Sequence, residues 1–211
     1  TTVDSLLGLR IHNVGGGGPF LYALGDEGCY DIINDGLKVS DKVFNSVSSG
    51  RKHSIALGVD DGNIYSWGAG SYGELGCGAL QGPTTQPKMI RTAHGPFTMI
   101  SSGSNHSVTV NTAGSIVGWG QNFEKQLGLY RKAESVINDP TTRSGILDNA
   151  HMERVMLVPR TLPFGYYNNL SVKKVACGSQ FTMVITTTGE MYAWGAGECG
   201  QLGVGRTTYK D

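Results

Sequence analysis

Short runs of alternating apolar and polar residues recur along the chain, each closed by a glycine-containing turn. His53-Ser54-Ile55-Ala56-Leu57 and Asn63-Ile64-Tyr65-Ser66-Trp67 are two such runs, rich in residues that favour strands. Asp60-Asp61-Gly62 stands between them, and Asp-Gly at that place is a hairpin signal. Thr112-Ala113-Gly114 and Thr188-Gly189 part similar pairs of runs further along. No stretch shows a sustained helical period. The elements predicted are therefore short antiparallel strands joined by tight turns.

The runs repeat in register. Val47–Gly78 reads VSSGRKHSIAL and then GNIYSWGAGSYGELGCG. Ile100–Leu129 reads ISSGSNHSVTV and then GSIVGWGQNFEKQLGL. Val175–Gly205 reads VACGSQFTMVI and then GEMYAWGAGECGQLGVG. Trp67 to Leu75, Trp119 to Leu127 and Trp194 to Leu202 are each 8 residues. A worn fourth copy precedes them, with Leu21-Tyr22-Ala23-Leu24-Gly25 laid over Ile64-Tyr65-Ser66-Trp67-Gly68 and Ile32 over Leu75.

Units of roughly 40 to 55 residues with two or more hairpins each are the signature of propeller blades. The expected fold is all-β: a partial propeller with a degenerate repeat at 1–43 and repeats at 44–96, 97–170 and 171–211. The third unit is long, because an insertion of mixed charge occupies about 130–160. Long loops without a pattern are often functional. Arg131, Lys132, Arg143, Arg154 and Arg160 give the insertion hydrogen-bond donors, and they are the candidate partner-binding residues.

Composition narrows the function. Gly makes up 32 of 211 residues, and the formal net charge is zero. Zero charge argues against direct binding to a nucleic-acid backbone. No apolar run is long enough to span a membrane. The N-terminal TTVDSLLGLR lacks the order of a signal peptide. Cys29, Cys77, Cys177 and Cys199 have no C-x-x-C spacing, so free thiols in an intracellular compartment are expected.

Several motifs reduce to the repeat itself. Gly68-Ala69-Gly70-Ser71-Tyr72-Gly73 and Gly195-Ala196-Gly197-Glu198-Cys199-Gly200 both fit G-x-G-x-x-G, but a turn and Leu-Gly follow where a dinucleotide site needs a helix. They are read as turn glycines, and no cofactor is expected. His53 and His106 occupy equivalent positions where the last unit has Phe181. A position open to His or Phe is a packing position, with a ring nitrogen expected on a neighbouring backbone group, so no metal is expected. Cys29, Tyr72 and Cys199 are laid on equivalent turn positions. No catalytic constellation is present in the sequence. Trp67, Trp119, Trp194, His53, His106, Leu75, Leu127 and Leu202 are expected to form the core between repeats.

The units Gly50-Arg51-Lys52-His53-Ser54 with Tyr65-Ser66-Trp67-Gly68, and Tyr192-Ala193-Trp194-Gly195 with Gln201-Leu202-Gly203, resemble the regulator of chromosome condensation repeat family. The resemblance implies a closed propeller, typically of seven blades, of which this chain would be a portion. It also implies a non-catalytic interaction scaffold within a larger protein or assembly, as in members found in ubiquitin ligases, ciliary proteins and mitochondrial assembly factors. The founding member implies an alternative, guanine-nucleotide exchange on a Ran-type small GTPase. A third class, an enzyme inhibitor, would use Tyr30, Tyr72, Phe123 and Tyr130 as exposed anchors.

Overall fold

The computed structural model describes residues 4–129, 154–164 and 170–205. Among them, strands form four antiparallel sheets that follow chain order. The first sheet contains β1 (Ile11–Gly17), β2 (Phe20–Gly25), β3 (Gly28–Asp31) and β4 (Leu37–Ser40). The second contains β5 (Phe44–Ser49), β6 (His53–Gly58), β7 (Ile64–Gly70) and β8 (Gln81–Met89). The third contains β9 (Phe97–Ser102), β10 (His106–Asn111), β11 (Ile116–Gln121) and β12 (Val155–Thr161). The fourth contains β13 (Val172–Cys177), β14 (Phe181–Thr186) and β15 (Met191–Gly195). Each strand pairs with the next in sequence, so every sheet is a meander. These are propeller blades.

Neighbouring blades are joined along their first strands. The Ser102 N–H donates to Ser48 Oγ at 3.0 Å, and the Cys177 N–H donates to Ser101 Oγ at 2.8 Å. At the adjoining turns, the Arg51 N–H donates to Ser104 O and the Ser104 N–H to Ser179 O, both at 2.9 Å. The backbones come close enough to require glycine. A Cβ on Gly18 would lie 2.7 Å from Gly50 O, and one on Gly103 would lie 2.6 Å from Gly178 O.

The repeat motif works between units rather than within one. Trp119 is fully buried, and its indole N–H donates to Glu74 O of the preceding blade at 2.7 Å. Trp194 does the same to Gln126 O at 3.0 Å. Gly76 and Gly128 lie against those indoles: a Cβ on either would approach the ring to 3.0 Å. The Leu75-Gly76 and Leu127-Gly128 turns thus seat the tryptophan of the blade that follows. Leu75, Leu127 and Leu202 are all buried.

The first blade has no such turn, and its neighbour adapts. Trp67 donates its indole N–H to the Tyr22 hydroxyl at 3.0 Å and meets the Tyr22 ring edge-on. Phe44 stacks on its other flank. Two buried clusters follow. Tyr22, Leu24, Phe44 and Trp67 anchor one at the first junction, and Ile55, Val108, Trp119, Leu127 and Trp194 run through the other.

Three details differ from the sequence reading. Phe20–Gly25 is the second strand of its blade, whereas Ile64–Gly70 is the third strand of its own, so the first copy is laid one strand out of place. An alternating strand that ends in Gly describes β2, β6 and β7 equally well, and the missing Trp removes the mark that separates them. Cys29 lies on β3 and is fully buried rather than in a turn, and Tyr30 beside it is buried too. Residues 155–161, counted with the insertion, form β12 and complete the third sheet.

Candidate protein-interaction face

Antiparallel meanders send alternate connections to opposite ends of a blade stack. The β5–β6 and β7–β8 connections share one end with β9–β10, β13–β14 and the start of β12. Hydrogen bonds tie this end together: Ala69 N–H to Lys52 O at 2.7 Å, Gln121 N–H to Asn105 O at 2.8 Å, and Ala196 N–H to Gln180 O at 2.9 Å. The glycine after each tryptophan makes these contacts possible. Gly68, Gly120 and Gly195 have φ of 97°, 97° and 109°, and a Cβ would sit 2.5–2.6 Å from those same carbonyl oxygens.

The G-x-G-x-x-G loops lie at this end, with no helix after them among the described residues. In each of the three later blades, one amide of this turn has a side-chain partner. The Tyr72 N–H donates to Glu74 Oε2 at 2.7 Å, the Glu124 N–H to Gln126 Oε1 at 2.9 Å, and the Cys199 N–H to Gln201 Oε1 at 2.8 Å. Burial raises the Glu74 carboxyl pKa above its ordinary value, against the lowering effect of the backbone N–H groups of Glu74 and Tyr72.

Of the candidate partner-binding residues only Arg154 and Arg160 lie among the described residues, and these two do not converge. Arg131, Lys132 and Arg143 lie outside the described residues, as does Tyr130. Arg154 and Arg160 are both exposed. Arg154 lies just before β12, at the loop end, and its backbone O accepts the Asn122 N–H at 2.7 Å. Arg160 is paired with Gly118. Six residues of strand put it roughly 20 Å further on, toward the opposite end. Of the four aromatic anchors, Tyr72 and Phe123 are exposed and Tyr30 is buried.

Spacing could not show that Phe123 and Arg154 meet. They are 31 residues apart in sequence, yet the Arg154 guanidinium carbon lies 5.2 Å from the Phe123 ring centroid. Tyr72 joins them from the preceding blade, edge-on to Phe123 at 5.9 Å. The signal lay in the apolar run Val155–Val158, whose pairing with β11 carries Arg154 back to the turn after that strand.

The two histidines face neighbouring blades instead of backbone groups. His53 Nε2 lies 2.8 Å from Ser107 Oγ, and His106 Nε2 lies 3.2 Å from Thr182 Oγ1. The equivalent junction in the first blade is the Tyr22 hydroxyl with Ser54 Oγ at 3.3 Å. The sequence reading expects a backbone partner; instead each ring lies over the glycine of its own repeat, Gly50 or Gly103, and its Nε2 meets the hydroxyl of the next blade. Among the described residues no group of His, Cys, Asp and Glu has the geometry of a metal site.

Regulator of chromosome condensation (RCC1) repeat models match residues 44–74 and 172–201, and 61–110 and 113–185. The chain belongs to the RCC1 repeat family. It is 31% identical over 167 residues to the human probable E3 ubiquitin-protein ligase HERC3, covering 79% of this chain and 14% of that protein. It is 32% identical over 178 residues to human RCC1 domain-containing protein 1, covering 77% and 47%. The chain thus spans less than half the length of these RCC1 relatives. Among solved structures it is similar to Saccharomyces cerevisiae Prp20p, with a TM-score of 0.72 at 21% identity over 94% of this chain and 48% of that one. Human WBSCR16 gives a TM-score of 0.69 at 22% identity, covering 89% and 48%. These likenesses show the RCC1 propeller fold. No helix among the described residues is long and apolar enough to cross a membrane.

Proposed function

We propose that this chain is a non-catalytic protein-interaction module, a portion of an RCC1 propeller within a larger protein or assembly. The observation that carries the reading is the loop end of the blade stack. Turns from successive blades are bonded to one another there, and they hold exposed aromatic and cationic side chains in fixed positions. A preorganised surface loses little conformational freedom when a partner docks. The Glu74, Gln126 and Gln201 side chains are each bonded to an amide of their own turn, which suits a fixed recognition surface. The relatives support the same reading, because the matched repeats are a small part of the ubiquitin ligase HERC3.

The competing reading is nucleotide exchange on a small GTPase. Prp20p is a propeller whose binding properties to Gsp1p and histones have been described. Exchange needs no nucleophile, only a surface that displaces nucleotide and its Mg²⁺. Release of a fluorescent guanine nucleotide from a Ran-type GTPase, with the full-length protein at catalytic concentration, separates the two readings. The module reading expects the release rate to stay unchanged; accelerated release would replace it with exchange.

A further inference from the structure

The loop end carries one cluster whose chemistry indicates what it would hold. Tyr72 and Phe123 come from turns of adjacent blades, meet at an interplanar angle of 87°, and remain 40% and 43% exposed. The Arg154 guanidinium covers one face of Phe123. Hydrogen bonds hold the surrounding backbone: the Tyr72 N–H donates to the Glu74 carboxylate, and the Asn122 N–H, next to Phe123, donates to Arg154 O. Arg154 makes no ion pair with a carboxylate among the described residues.

A guanidinium stacked on a ring is held flat, with N–H donors along its edge. That fork matches the two oxygens of a carboxylate. The exposed flanks of Tyr72 and Phe123 beside it suit an apolar side chain. Tyr and Arg are the residue types most often found as energetic anchors of interfaces. A polyanion would call for a broad basic face, and this chain has zero net charge.

We propose that the Tyr72–Phe123–Arg154 cluster holds an acidic peptide segment of a protein partner. One carboxylate lies on the Arg154 guanidinium, and a neighbouring apolar side chain rests against Tyr72 and Phe123. The proposal rests on the reading of the chain as a protein-interaction module and gives that module a ligand chemistry.

The test uses the full-length protein and a displayed library of random short peptides. Enriched peptides should carry Asp or Glu beside Leu, Phe or Trp. Tyr72→Ala, Phe123→Ala and Arg154→Ala should each weaken a synthetic copy of the best peptide by about tenfold. Arg154→Glu should shift the enrichment to Lys and Arg. All three positions are exposed, and circular dichroism of each variant checks that the fold persists. The proposal is overturned by no enrichment, by enrichment without carboxylates, or by binding that the substitutions leave unchanged. Tighter binding at the cluster by a phosphopeptide or a single-stranded oligonucleotide overturns it as well. Affinity purification run in parallel separates the two claims. If Tyr72→Ala and Arg154→Glu keep every partner, the proposal falls and the module reading stands; if the unaltered protein has no partner, the module reading falls.

Discussion

His53 reaches across a blade junction to Ser107, with Nε2 and Oγ 2.8 Å apart, and both residues are fully buried. His106 repeats the contact with Thr182 at the next junction. The Nδ1 atoms of both rings have no hydrogen-bond partner and no access to solvent. A proton on either ring would therefore be a buried charge without compensation. Burial lowers the His53 pKa to about 4, and burial together with the nearby His53 lowers that of His106 to about 3.

These shifts set an acid limit on the blade stack. The unfolded chain takes up protons near the ordinary histidine value of about 6.5, and the folded chain does not. The stability these groups contribute is complete above that value and is lost as pH falls toward the folded values. Each histidine should steepen the loss by at most about 1.4 kcal/mol per pH unit in that window. Chemical denaturation across the window measures the slope. His53→Gln should lower stability at neutral pH and flatten the slope by about one proton; an unchanged slope would refute the account.

Trp119 supplies the sharpest test of seating between repeats. Trp119→Phe keeps most of the apolar burial but leaves Glu74 O without its donor. The expected cost is about 1–3 kcal/mol for the orphaned carbonyl. Trp119→Ala should cost about 3–5 kcal/mol, since it also opens a cavity. Urea denaturation of the two variants separates the hydrogen bond from the packing.

Glu74 occupies a position held by Gln126 and Gln201 in the later blades. Burial raises its pKa, so the folded state holds a proton more readily than the unfolded chain. The sign follows: its ionisation opposes folding above the ordinary carboxyl range, and the penalty fades as pH drops below it. Glu74→Gln should raise the melting temperature at pH 7 and have little effect near pH 4. A lower melting temperature at pH 7 would show that the carboxylate charge itself stabilises the turn.

Gly103 sits where the first strands of two blades nearly touch. A Cβ there would overlap the His106 ring and stand 2.6 Å from Gly178 O. Gly103→Ala should cost about 1–3 kcal/mol or more through overpacking. Gly82, with nothing near its Cβ position, is the control, and Gly82→Ala should be close to neutral in the same melting experiment.

Much of this architecture was legible in the sequence, because three of the four blades each bury one tryptophan and turn on glycines at fixed positions. The constant distance from Trp67, Trp119 and Trp194 to Leu75, Leu127 and Leu202 made the units plain. That constancy hid a displacement: the Leu-Gly turn of one unit serves the tryptophan of the next. The first blade was harder to place, because Tyr22 there fills the role of a histidine toward Ser54 and of a turn carbonyl toward Trp67. No residue-type pattern announces one hydroxyl doing both. The surface cluster was only half legible. Tyr72, Phe123 and Arg154 could each be picked out by type, but their meeting depends on strand pairing across the insertion.

The central claim is that the propeller binds protein partners as a module. Affinity purification of the full-length protein from its own cells, with EDTA present, tests it most directly. EDTA removes Mg²⁺ and traps an exchange factor on its nucleotide-free GTPase. The account predicts recovery of a stable assembly whose composition is the same with and without EDTA. A small GTPase recovered in stoichiometric amount only when EDTA is present would contradict it.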